Sequence, residues 1–132
     1  MPLIVPAYAA VLGLLFAVLS FRVANTRRVM RIGLGSGGDR QLERYIRVQA
    51  NFAEYVPMAL ILLAFLEVQA WPEWLLHTLC ALLLIARVVH ALGVAREPED
   101  IRFRASGMVA TLAVLIVTSV LLLAGGIWQP SA

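Results

Sequence analysis

Apolar residues gather in four long stretches, and polar residues lie between them and, unusually, along half of one. The first stretch runs from Leu3 to about Phe21, close to the ~20 residues needed to cross a ~30 Å hydrocarbon core. Arg22, Arg27, Arg28 and Arg31 follow it. A secretory signal peptide carries its positive charge before the apolar run, so this order favours a retained membrane helix. The second stretch is apolar only from Tyr55 to Leu66, too short to span alone, but its helical periodicity continues back to about Leu42. The third covers about Trp74 to Gly93 and contains His77, Arg87 and His90. The fourth, from about Gly107 to Ile127, is nearly all Val, Leu, Ala and Ile, with Thr111, Thr118 and Ser119 as its hydroxyls. The pattern predicts an all-α membrane protein: a bundle of four transmembrane helices in a single domain over residues 1–132.

Composition agrees and excludes other classes. Hydrophobic residues make up 61% of the 132 and charged residues 14%, against roughly 45–50% and 25% in soluble domains. Mean hydropathy is +0.86. A soluble fold this small could not hide that much apolar surface, which rules out an ordinary soluble enzyme as well as a disordered tail. The net charge of +3 comes from Arg alone, since no Lys occurs. These Arg residues stand beside apolar runs, so they read as a membrane edge and not as a nucleic-acid surface. One cysteine excludes an internal disulfide and a multi-cysteine metal site.

Three connections join the stretches. Gly33–Gly38 is Gly-rich and suits a loop; it lacks the Lys-Ser/Thr and the strand–helix setting of a phosphate-cradling loop. Pro72, in the second connection, can stop one helix and open the next. Arg27, Arg28, Arg31 and Arg40 mark the first connection; Arg96, Arg102 and Arg104 mark the third. The second connection and both termini carry no Arg or Lys. The positive-inside rule then places connections one and three in the cytoplasm and both termini outside, with Trp71, Trp74 and Trp128 at the outer headgroups. A bacterial inner membrane is the expected location.

The second stretch carries the chemistry. At ~100° per residue, Arg44, Arg47, Asn51 and Glu54 fall within about one third of the helix circumference. A charge at bilayer depth costs ~2.5–3.5 kcal/mol or more, so these side chains must face protein or water. Pro57 should kink the helix just beyond Glu54. Arg87 and His90, spaced i, i+3, share a face near the same end of the third helix. With the Arg residues of connections one and three at similar depth, these residues predict a guanidinium-rich cleft with one or two carboxylates, suited to a small polyanion. Intramembrane Arg47, Asn51 and Glu54 read as functional. Arg22 and Arg31 read as snorkelling helix ends, and His77 and Cys80 as structural. His90 stands between a helix-packing and a binding role, and a metal there lacks further ligands. Gly13, Gly125 and Gly126 read as close-packing positions.

Glu43, Arg44, Arg47, Gln49, Asn51, Glu54, Tyr55 and Pro57 follow the pattern E-R-x-x-R-x-Q/H-x-N-x-x-E-Y-x-P. In these residues the chain resembles the MAPEG family, membrane-associated proteins in eicosanoid and glutathione metabolism. Arg27-Arg28-Val-Met-Arg31 is similar to the leukotriene C synthase branch, and Arg87-Val-Val-His90 to the prostaglandin E synthase branch. The resemblance covers about Arg27 to Arg104 and implies a bacterial-type member akin to the microsomal glutathione transferases. It implies four helices per chain and a homotrimer with glutathione, as co-substrate, bound between subunits. Arg27, Arg47, Asn51, Glu54, Tyr55 and His90 would bind glutathione. Arg102, with Arg104 as the alternative, would activate the thiol, and Arg28 would assist from the next subunit. No metal is implied.

The chemistry suits those residues. A thiol with pKa ~8.5 is only a few per cent thiolate at neutral pH, and lowering it by ~2 units takes about 2.7 kcal/mol of differential stabilisation. One Arg in a low-dielectric site can supply this. Two features depart from the pattern: Val94 stands where eicosanoid enzymes carry a Tyr, and Glu97, Glu99 and Asp100 crowd Arg102. The expected function is therefore a glutathione transferase or peroxidase acting on a lipophilic small molecule from the bilayer. The alternative is a non-catalytic lipid-binding or interaction protein of the same family. A four-helix drug–proton exporter would need an acidic residue in the first helix, and Leu3 to Phe21 has none.

Overall fold

A computed structural model describes residues 4–128, with side chains described through Gly125. It contains four helices: α1 (Ile4–Met30), α2 (Arg40–Val68), α3 (Glu73–Ala95) and α4 (Ile101–Trp128). Each is long and apolar enough to cross a bilayer. Two boundaries differ from the hydropathy reading. α1 continues past Phe21 to Met30, so Arg22, Arg27 and Arg28 sit on its last turns, and α4 begins at Ile101 instead of near Gly107. Hydropathy marks where the hydrocarbon ends, whereas helical hydrogen bonding continues through good helix formers such as Arg. α2 runs through Pro57 as one helix. Asp39 caps its start, its side chain accepting from Leu42 N–H at 2.7 Å.

The first connection turns through positive-φ backbone at Arg31, Gly35, Gly37 and Gly38, which glycine adopts without steric cost. Arg27 Nη1 donates to the Gly35 carbonyl at 2.6 Å and pins this loop to the end of α1. At the opposite end of the bundle, the Glu67 carboxylate on α2 accepts from Ile4 N–H at 2.6 Å and from Val5 N–H at 3.3 Å. It thereby satisfies donors that a helix N-terminus otherwise leaves bare. Tyr8 and His77 meet there too, hydroxyl to Nδ1 at 3.3 Å with edge-on rings. The α1 N-terminus, the α2–α3 turn and the α4 C-terminus thus share one end, and connections one and three share the other. Glu67→Ala is expected to cost about 0.5–2 kcal/mol, the usual range for a lost N-terminal cap. Glu67→Gln, which keeps an acceptor oxygen, should retain most of it. Thermal unfolding in detergent would show this, and equal loss in both variants would contradict it.

Leu12, Leu63, Leu66, Leu76, Leu83 and Val114 form the fully buried centre, while Leu14, Phe21, Phe65, Ile85, Ile116 and Leu123 face outward. Lipid tails are as apolar as these side chains, so helix association depends on close packing and not on water exclusion. The closest packing is between α3 and α4. A Cβ placed on Gly107 would stand 2.6 Å from the Ala86 carbonyl oxygen and 2.8 Å from His90 N; one on Gly93 would stand 2.6 Å from Arg104 N. Gly13, expected as a packing position, faces open space, whereas Gly125 packs near Gln69 and Trp71. The packing of Gly126 and the side chain of Trp128 lie outside what the structure describes. The hydroxyls of Thr111 and Thr118 bond back to Gly107 O and Val114 O, which makes them neutral in the buried seam.

Candidate functional site: a charged cleft at one end of the bundle

At the end holding connections one and three, α2, α3 and the start of α4 enclose a cleft of about 500 Å³. Its walls carry Arg40, Glu43, Arg44, Arg47, Asn51 and Glu54 from α2, His90 and Val94 from α3, Glu99 from the third connection, and Arg104 from α4. Each element presents these groups for a local reason. The α2 stripe repeats at i, i+3 and i+4, so one helical face delivers all its polar residues. Gly93 lets the backbone of α4 approach α3, which brings Arg104 to the rim.

The acidic cluster of the third connection is occupied internally. Asp100 Oδ1 accepts from Arg102 N–H at 3.1 Å and caps α4. Glu99 pairs with Arg104 at 2.8 Å, and Glu97 lies 3.4 Å from Arg44. Arg44 also donates to the Arg96 carbonyl at 2.9 Å. Arg40, Arg47, Glu43 and Glu54, by contrast, form no ion pair among the described residues. Arg47 and Glu54 are exposed on the outward face of α2, leaving a cation and an anion about two helical turns apart and available to a ligand.

The floor is more ordered than the rim. Arg87 is buried at 1% exposure, its guanidinium 5.6 Å over the Phe52 ring. Its Nη2 donates to Asn51 Oδ1 at 2.7 Å and lies 3.4 Å from His90 Nδ1. Arg87 Nε and Nη1 find no partner among the described residues. The Asn51 amide nitrogen meets only the Met108 thioether, at 3.8 Å.

Of the residues expected from sequence, the structure brings Arg47, Asn51, Glu54 and His90 to this cleft. Arg104, the alternative to Arg102, lines it; Arg102 is exposed on the first turn of α4 and does not. Arg27 is engaged with the Gly35 carbonyl, Arg28 is exposed near the end of α1, and Tyr55 is half-buried beside the lining residues of α2. Arg40 was expected at this depth only as one of the Arg residues of the first connection, and Glu43 and Glu99 were not assigned to the site. The i, i+3 and i, i+4 relation of Arg40, Glu43, Arg44 and Arg47 was a usable signal for the first two; Glu99 depends on a loop path that spacing does not encode. His77 lies at the other end of the bundle, and Cys80 is buried in the apolar centre. Among the described residues, no group of three or more His, Cys, Asp or Glu converges as a metal site would require.

Known proteins match this sequence. The profile of the MAPEG family matches residues 5–124. Inner membrane protein YecN of Escherichia coli K12 is 34% identical over 110 residues, which cover 83% of this chain and 82% of that protein. The protein of the same name in Escherichia coli O6:H1 matches to the same extent. Four bilayer-length helices and these relatives make the chain an integral inner membrane protein. The profile match runs from the first turn of α1 nearly to the end of α4 and takes in every residue of the cleft, so the chain belongs to the MAPEG family.

Proposed function

We propose that the cleft binds glutathione and activates its thiol for attack on lipophilic electrophiles or lipid hydroperoxides that arrive through the bilayer. The observation that carries this reading is the pair of unengaged charges, Arg47 and Glu54, above the Asn51–His90 floor. Glutathione has two carboxylates and one ammonium group. A guanidinium holds a carboxylate by two parallel hydrogen bonds, and Glu54 suits the ammonium. The cleft volume of about 500 Å³ lies within the ~300–1,000 Å³ common for small-molecule sites. Arg104 or Arg102 stabilises the thiolate. The outward face of α2 leaves one side of the cleft open, and a homotrimer would close it, with Arg27, Arg28 and Tyr55 contributing across the subunit boundary. The cleft opens to the cytoplasm, where the Arg-rich connections belong.

A second reading, binding without turnover, draws on two observations: Val94 offers no hydroxyl at the cleft wall, and Arg104 is paired with Glu99. Ultraviolet thiolate absorbance of glutathione on the purified protein separates the two. The expected result is a thiolate signal in the wild type, loss of binding in Arg47→Ala, and loss of thiolate with binding retained in Arg104→Ala or Arg102→Ala. Binding without any thiolate would select the second reading. No binding would overturn both.

A further inference from the structure

Arg87 is buried beneath the cleft and does not line it, so its contribution must pass through the groups it touches. A guanidinium carries five N–H donors and no acceptor. Each neighbour of Arg87 Nη2 must therefore present a lone pair, and this decides two orientations that atomic positions alone leave open. Asn51 turns its oxygen to Arg87 at 2.7 Å, which sends its amide NH2 the other way, where its partner is the weakly accepting Met108 sulfur. His90 faces Arg87 with Nδ1 at 3.4 Å, so that nitrogen bears no proton and the ring proton resides on Nε2. Nη2 has two hydrogens and meets two acceptors. α4 holds the ring in place from behind: a Cβ on Gly107 would stand 2.7 Å from His90 Cβ, which leaves no room for His90 to retreat. The other charged groups around the same cleft are Arg104 and Glu99, paired with each other, and Arg40, Glu43, Arg44, Arg47 and Glu54 on α2.

We infer that Arg87 is a positioning residue that locks His90 as the neutral Nε2–H tautomer and turns the Asn51 amide nitrogen away from itself toward the weakly accepting Met108 sulfur, leaving the cleft floor with two oriented hydrogen-bond donors. Such a floor receives an acceptor: a carboxylate, a carbonyl or a thiolate. It contains no base. His90 orients its ligand and does not deprotonate it, and any thiolate must be stabilised by the guanidinium groups of the rim. The tautomer lock is independent of ligand identity; its application to a thiol rests on the function proposed above.

The chain has two histidines, so ring-15N-histidine labelling of the full chain in lipid nanodiscs, with His77→Gln for assignment, reads His90 directly. Nitrogen shifts and couplings distinguish the two tautomers and the imidazolium. The expected spectrum at neutral pH is a single Nε2–H form, preserved in Arg87→Lys, whose ammonium also only donates, and replaced by a tautomer mixture in Arg87→Met. An Nδ1–H form or an imidazolium in the wild type would overturn the inference, as would an unchanged signature in Arg87→Met. Should Arg87→Met fail to fold, the wild-type spectrum still decides.

Glutathione affinity supplies a second readout. The amide nitrogen of His90→Gln reaches the Nε2 position and that of His90→Asn only the Nδ1 position. Affinity should fall by no more than about threefold in the first and by about tenfold or more in the second, the loss expected for a hydrogen bond to a charged group. Equal losses would overturn the donor role. A wild type that binds no glutathione would defeat the proposed function and leave the spectral test standing.

Discussion

Gly107→Val is expected to destabilise the bundle by about 1–3 kcal/mol, the range for overpacking a tight interior, and to abolish ligand binding at the cleft. The atoms that an added side chain would meet are backbone: the Ala86 carbonyl oxygen at 2.6 Å and His90 N at 2.8 Å. A flexible side chain could give way at such distances; two helical backbones cannot without moving apart. Separation of α3 from α4 would shift His90 away from Asn51 and Glu54, which reside on α2 and would not follow. Stability and binding should therefore fall together. Gly13→Ala is the matched control, since its Cβ would enter open space; it should be neutral or stabilising by about 0.5–1 kcal/mol, the helix preference of Ala over Gly. Thermal unfolding in detergent with parallel glutathione titration measures both. Gly107→Val as stable as the wild type would mean that α3 and α4 are not in backbone contact.

Arg87→Met should separate the two properties that Gly107→Val joins. The guanidinium is held at 1% exposure with Nε and Nη1 lacking partners, and no carboxylate lies within ion-pairing distance among the described residues. Replacing buried charged groups with apolar residues of similar volume has left proteins unchanged or stabilised them by about 1–4 kcal/mol. The unfolding temperature of Arg87→Met is accordingly expected to hold or rise. Binding is expected to fall about tenfold or more, because Asn51 and His90 lose the donor that orients them. A drop in both would mark Arg87 as a structural strut, and the donor-floor inference would lose its functional content.

The fold was legible because the bilayer imposes a length on every span, and four apolar stretches of that length leave little choice of architecture. Helix ends were less legible. The hydropathy signal stops at the headgroups, so the last turns of α1 and the first of α4 read as connections although they are helical. At the site, Arg47, Asn51 and Glu54 announced themselves as ionisable and polar groups where lipid should be, and helical spacing tied Arg87 to His90. Spacing could not choose between Arg102 and Arg104. They are two residues apart, and which one faces the cleft depends on the path of the third connection and on the approach that Gly93 permits. The same limit explains Gly13. A glycine in an apolar helix signals close packing only when another backbone is there, and that partner is a property of the assembled bundle. The acidic residues of the third connection, read from sequence as crowding Arg102, are occupied as a helix cap and as partners for Arg44 and Arg104.

The Glu67 carboxylate has a consequence for the order in which the chain is built. Ile4 and Val5 precede the group that satisfies their amides by some sixty residues of chain, because Glu67 stands at the far end of α2. Through most of that interval the first helix has no tertiary partner for its leading turn. The two ends meet only when α2 has crossed the bilayer and returned its last turn to the side where α1 starts. The Glu67 contact can therefore close only once α1 and α2 stand side by side as a hairpin.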